Sequence, residues 1–111
     1  MFLKEKESEY FRAVIKKITR NDYVLQDSDS GCVLEFTSSS NICLYVPSGL
    51  PDKCKVTVLQ SGEGQIEIVT SSEVYRTYEK YSTASIHTQD KSCFVVGDVI
   101  NILNNYRRIT N

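Results

Sequence analysis

Two glycines, Gly62 and Gly64, bracket Glu63 within Val56–Thr70, the most regular stretch of the chain. A glycine pair after a β-type segment can cradle a phosphate if a helix follows, because the helix N-terminal N–H groups then face the anion. Here Gln65-Ile66-Glu67-Ile68-Val69 follows, and it alternates with a period of two. That is another strand, so Ser61–Gly64 reads as a hairpin loop in which glycine supplies positive φ. His87 is the only histidine. A nucleophile needs a base beside it, and alternation in Ala84-Ser85-Ile86-His87-Thr88 sets His87 opposite Ile86, on an exposed strand face. Asp27 and Asp29 could offer two carboxylates to Ca²⁺, but in a serine-rich loop they read as turn residues. Glu63 and Glu67 flank the glycine loop with no evident partner. Cys32, Cys43, Cys54 and Cys93 form no CxxC pair and no cluster with the histidine, which argues against zinc. They read as reduced, small and mostly buried. No catalytic, cofactor-binding or metal-binding residue is assigned, and the expectation is a protein that is not an enzyme.

The elements that carry these residues follow from composition. A chain of 111 residues is one domain by size, and 41% hydrophobic with 24% charged residues is an ordinary globular balance. No apolar run approaches the roughly 20 residues that cross a bilayer. Met1-Phe2-Leu3-Lys4-Glu5-Lys6-Glu7 is charged almost at once, unlike a signal peptide. The cytoplasm of the producing cell is therefore the expected site of synthesis, where disulfides are not expected.

Residues 1–10 are polar and alternate in charge, and are expected to be a charged arm, either a short helix or flexible. From residue 11 the chain becomes a series of short segments rich in Val, Ile, Tyr, Thr and Phe, separated by Ser, Gly, Asn, Asp and Pro. The segments are Phe11–Ile18, Tyr23–Gln26, Cys32–Thr37, Ile42–Val46, Cys54–Gln60, Gln65–Thr70, Val74–Tyr78, Thr83–Thr88 and Cys93–Ile100, the last broken at Gly97-Asp98. Cys32, Leu34 and Phe36 share a face, as do Ile42, Leu44 and Val46. Val56 pairs in the same way with Val58, and Ile66 with Ile68. Turns fall at Gly31, at Pro47, Gly49 and Pro51, at Gly62 and Gly64, and at Gly97. The expected fold is all-β: an antiparallel sandwich or jelly-roll-like barrel of eight or nine strands over residues 11–100, with a tail at 101–111. Antiparallel pairing is expected because the connections are too short for crossover helices. No sequence repeat is visible.

Net charge is −1 and the pI about 5.8, which argues against broad attraction to nucleic acid or an anionic membrane. The charge is uneven. Lys4, Lys6, Arg12, Lys16, Lys17 and Arg20 face only Glu5, Glu7 and Glu9 within the first twenty residues, and Arg107-Arg108 lie near the end. These are solvated termini or arms that dock on an acidic partner. Tyr75, Tyr78 and Tyr81 fall close to Arg76 and Lys80, a pattern that a single-strand nucleic-acid barrel could use for stacking. The acidic balance and the lack of an RNP-type motif favour half-buried strand tyrosines or a protein–protein surface. Lys4, Lys6, Arg12, Tyr75, Tyr78, Tyr81, Arg107 and Arg108 are the candidate partner contacts.

The order of segments from Asp22 to Ile100 resembles a small β-domain that recurs in tailed-phage virion proteins. The resemblance rests on Tyr23-Val24-Leu25, Asp29-Ser30-Gly31, Phe36, Ser38–Ser40, Val46-Pro47 and Gly49-Leu50-Pro51. It continues through Val56–Gln60, Gly62–Gln65, Ile66–Val69, Tyr81–Ile86 and Gly97-Asp98, and so covers about 80 of the 111 residues. The chain departs from it at Glu73-Val74-Tyr75-Arg76-Thr77-Tyr78, where fibre versions carry a small, glycine-rich segment. The resemblance implies a virion structural protein. A free-standing copy with added termini looks like a capsid decoration, cement or staple protein, similar in length to the staple proteins of epsilon-fifteen-like podoviruses. Its implied partners are the major capsid protein and a second copy of itself, with no nucleic acid and no membrane. Its implied location is the capsid surface. The alternative is a tail or head fibre component contacting host glycan.

Overall fold

Period-two alternation puts every second side chain of each segment on one face, so each strand has an apolar side to bury. In the computed structural model, which describes residues 14–102, those sides are buried against one another in a two-sheet sandwich. The strands are β1 (Val14–Ile18), β2 (Asp22–Val24), β3 (Cys32–Phe36), β4 (Ile42–Tyr45), β5 (Lys55–Gln60), β6 (Ile66–Val69), β7 (Val74–Thr77), β8 (Thr83–Gln89), β9 (Ser92–Gly97) and β10 (Val99–Asn101). One sheet has the order β1-β3-β5-β8-β9 and the other β10-β7-β6-β4-β2. The all-β, two-layer expectation therefore holds, with ten strands. The segment Cys93–Ile100 divides at Gly97-Asp98, and its two parts lie in opposite sheets.

The pairing differs from the antiparallel expectation. β1–β3, β3–β5, β2–β4 and β4–β6 are parallel, and only β5–β8, β8–β9, β6–β7 and β7–β10 are antiparallel. The reason is that β1 to β6 alternate between the sheets. Each short connection crosses the sandwich, and the strand that returns to the first sheet lies parallel to the one a full turn earlier. Val14 faces Cys32 and Val33 faces Thr57; Asp22 faces Cys43 and Ile42 faces Ile66. This is a solenoid-like coil with turns of roughly 18 to 24 residues. A strand in the other sheet makes the crossover that a helix makes in other parallel pairs. The coil repeats in space although the sequence does not repeat.

The inward residues form one core. Leu34, Phe36, Val56, Val58, Ala84 and Ile86 come from the first sheet, and Ile42, Leu44, Ile66 and Ile68 from the second. Fully burying each large side chain contributes about 1.5–3 kcal/mol. Leu25, Val46 and Cys54 close the side of the coil where the longer loops run.

The glycine pair Gly62/Gly64 is part of a crossing arch, not of a hairpin, because β5 and β6 are in different sheets. Neither glycine has positive φ; that conformation is confined to Gly31 and Gly97 among the described glycines. The need is for space. A Cβ on Gly62 would sit 2.4 Å from the Ser38 carbonyl oxygen, and one on Gly64 would sit 1.9 Å from that of Ser40. The arch after β5 rests directly on the arch after β3. The Gly64 N–H donates to Ser38 O at 3.0 Å, the Gln65 N–H to Asn41 Oδ1 at 3.1 Å, and Ser38 Oγ to Asn21 Oδ1 at 2.7 Å. The arches thus form a hydrogen-bonded stack of their own.

Candidate interaction surfaces

The residues considered for chemistry stay apart. Among the described residues, no three His, Cys, Asp or Glu side chains converge on a possible metal position. His87 is half-buried on the outer face of its sheet, between Lys55 and Phe94. Cys32 and Cys54 are buried, Cys43 and Cys93 half-buried, and all four are free thiols. Asp27 and Asp29 lie in a short 3-10 turn, and Asp29 is fully buried. Its carboxylate accepts from Lys16 Nζ at 2.6 Å, from Tyr23 OH at 3.0 Å and from the Gln26 N–H at 2.9 Å. Burial, then the Asp29 carboxylate, pushes the Tyr23 hydroxyl up, and the hydrogen bond to Asp29 raises Lys16. Asp29 is a structural anchor for the first coil. Its place in a turn was legible from Asp27–Gly31, but its burial depends on Lys16 arriving from β1, which no local pattern announces.

The candidate tyrosines are divided. Tyr75 points inward from β7 and packs against the core, while Tyr78 and Tyr81, 52% and 69% exposed, project from the connection between β7 and β8. Tyr81 adopts positive φ, and the Lys80 ammonium lies 5.4 Å from its ring centre. Lys4, Lys6, Arg12, Arg107 and Arg108 lie outside the described residues. Of the turn residues, Gly31, Pro47, Gly49 and Pro51 lie in loops that cross between the sheets. Gly97, at φ 142°, brings its Cα so close to β8 that a Cβ would meet Thr83 O at 2.5 Å. The Asp98 that follows accepts the Thr83 N–H at 3.0 Å.

Exposed apolar side chains gather on the sheet faces and edges. Register places Ile15, Val33, Thr57, Ser85 and Val96 in one row across the outer face of the first sheet. Val24, Tyr45, Val69 and Val74 form a row across the second. Beside the latter runs a polar row in which Arg76 Nη2 pairs with Glu67 Oε2 at 2.8 Å.

The end of the sandwich bounded by β9 opens into a cleft of about 420 Å³. One wall is Cys93–Val96 of β9; the other includes Pro47, Leu50, Glu73 and Tyr75, and Lys91 stands at its hairpin end. Asn101 Nδ2 donates to Glu73 Oε2 in this region. Burial raises Tyr75, with the Glu73 carboxylate adding to the effect, and burial likewise pushes the Cys93 thiol up, helped by Cys54 and Glu73. No sequence signal marked this cleft, because its walls come from loops after β4 and β6 and from the last strand of the first sheet.

Comparison with known proteins returns no matching family model, no similar curated protein and no similar solved structure.

Proposed function

We propose that the protein is a non-enzymatic structural component of a phage virion, a capsid decoration or staple protein that bridges and stabilises neighbouring capsid subunits. The observation that carries the reading is the placement of exposed apolar residues. Val24 and Tyr45 adjoin on the outer face of the second sheet and Phe94 and Val96 stand out from β9, and among the described residues no three His, Cys, Asp or Glu side chains converge on a metal position. Broad, flat, partly apolar faces suit protein contacts, where aromatic and aliphatic anchors supply most of the affinity. The ordered motifs from Tyr23 to Asp98 supply the virion context by resemblance. A stack of coils is stiff along its axis, which suits a clip between two subunits.

The same stiffness favours a second reading, a short piece of a tail or head fibre that contacts host glycan. Quantitative mass spectrometry of purified virions against the major capsid protein separates the two. Hundreds of copies per particle are expected for a shell protein. About a dozen would move it to the tail, and a stable trimer in light scattering would support that assignment.

A further inference from the structure

We infer that the free edge of β9 takes up an extended, acidic segment of a partner protein as an added strand. The inference rests on the proposed function only for the partner's identity, a capsid subunit.

Among the described residues, β9 is the last strand of its sheet. The Thr88 N–H donates to Cys54 O at 3.0 Å, and the Lys53 N–H donates to Thr88 O at 2.8 Å. Both backbone groups of Thr88 therefore point towards β5. Cys93, which lies opposite Thr88, is left in a non-hydrogen-bonded position of the antiparallel ladder, and by alternation so is Val95, opposite Ile86. The N–H and C=O groups of Cys93 and Val95 consequently face away from the sheet, along its open edge.

Edge strands are normally blunted by proline, lysine or a bulge. Ser92–Gly97 has none of these; its register with β8 is unbroken, and Phe94 and Val96 are 53% and 64% exposed. The cleft follows the same edge. Successive strand side chains point to opposite faces, so a cleft that touches Cys93, Phe94, Val95 and Val96 in succession runs along the backbone between those faces. A strand laid there would place alternate side chains against Tyr75, Cys93 and Val95 within the cleft, and the others beside Phe94 and Val96 outside. Backbone bonding for affinity with pockets for alternate side chains is how sheet edges recognise peptides.

Charge selects the segment. Glu73, on the opposite wall, keeps its charge because its partner Asn101 is a neutral amide, and the Lys91 ammonium at the hairpin end has no ion-pair partner among the described residues. Lys91 is held at the cleft by a tight two-residue turn in which Asp90 and Lys91 both have positive φ. A carboxylate on the incoming strand near this turn completes the match.

The test titrates the full-length protein with overlapping synthetic peptides spanning the major capsid protein of the virion, with backbone amide exchange as the readout. A peptide with an acidic residue should bind and slow exchange at Cys93 and Val95. Val95→Pro removes an outward N–H along with a side chain that packs on the core, and it should weaken binding at least about tenfold while the Phe94 and Val96 amides, which face β8, stay protected. Val96→Lys, which keeps every backbone donor, should act in the same direction, and Lys91→Glu should abolish the preference for acidic peptides. Peptide binding that survives both Val95→Pro and Val96→Lys would overturn the inference. So would concentration-dependent protection of β9 without peptide, which would mean pairing between copies. If the protein occupies purified shells yet no peptide protects β9, this inference alone fails; absence from shells, with no peptide binding, removes the proposed function as well.

Discussion

In the coil, β1 to β6, a strand never bonds to its neighbour in sequence: Leu34 lies beside Val58, a full turn later, and Leu44 beside Ile68. In the cap, β7 to β10, β6 hands directly to β7 and β8 to β9, so Val69 meets Val74 and Gln89 meets Ser92 across short turns. The two regions share strand composition, strand length and core. They differ in what fixes register. The coil depends on one arch resting on another, so its precision is steric and non-local. The cap depends on turn chemistry written in adjacent residues, such as the Asp90-Lys91 turn.

The largest effect should come from disturbing the arch stack. Gly64→Ala would drive a methyl into the Ser40 backbone and separate the arches, losing the Gly64–Ser38 and Gln65–Asn41 bonds. A loss of about 3 kcal/mol or more is expected in urea unfolding, since backbone cannot yield as a side-chain tip can. Gly49→Ala is the control. It lies in a loop of the coil with nothing within 4 Å of its added Cβ, and should change stability by less than about 0.5 kcal/mol. If the two substitutions cost the same, the arches do not hold the register of the coil.

A smaller effect is expected where the regions join. Thr77, the last residue of β7, is buried; its hydroxyl donates to Gln60 Oε1 at 2.6 Å and accepts the Ile66 N–H at 2.8 Å. Gln60 Nε2 in turn donates to Gly62 O at 3.1 Å, so this one hydroxyl ties the cap to the final arch. Thr77→Val keeps the shape but strands an acceptor and a backbone donor, and should cost about 2 kcal/mol. Hydrogen exchange would localise the loss. Faster exchange at Ile66 and in β7, with β1 to β4 unaffected, fits a junction; uniform loosening would argue that coil and cap form one cooperative unit.

What could be read from the sequence divides along the same line. Alternation at Leu34/Phe36, Leu44/Val46, Val56/Val58 and Ile66/Ile68 identified the core correctly, because inward-facing positions do not depend on which strand lies alongside. Gly97-Asp98 is legible as a break because part of its cause is local, a glycine held at positive φ, although the clamp onto Thr83 is not. Ser61–Gly64 was misread because glycine serves both positive φ and close approach, and the two leave the same trace in sequence. Nothing within residues 56–70 tells a hairpin from an arch; the difference lies in Ser38–Ser40, two dozen residues earlier. The small side chains of that serine run are the counterpart of the glycines. The free edge of β9 was equally hidden, because being last in a sheet belongs to the topology and not to Ser92–Gly97.

The smallest predicted effect separates the regions by pH. Cys93, in the cap, is raised from its ordinary 9.0, first by burial and then by Cys54 and Glu73. Tyr75 is raised from 10.0 by burial and Glu73. In the coil, Tyr23 is raised from 10.0 by burial and Asp29, and Lys16 from 10.5 by its hydrogen bond to Asp29. A folded-state value above the unfolded one means that the unfolded chain releases its proton first as pH rises. Each contribution is therefore complete below the ordinary value and is lost as pH climbs through the folded one. Cys93 begins to lose its share above pH 9, before any of the other three, so thermal unfolding followed at pH 8, 9, 9.7 and 11 should dip first because of the cap. Cys93→Ser should remove the early part of the decline and leave the later part, whereas Tyr23→Phe should leave the early part and lessen the later one, to which Tyr75 and Lys16 also contribute. Because Cys93 is half-exposed, the dip is small. An early decline that persists in Cys93→Ser would locate the alkaline sensitivity outside the cleft and remove the distinction in pH between the two regions.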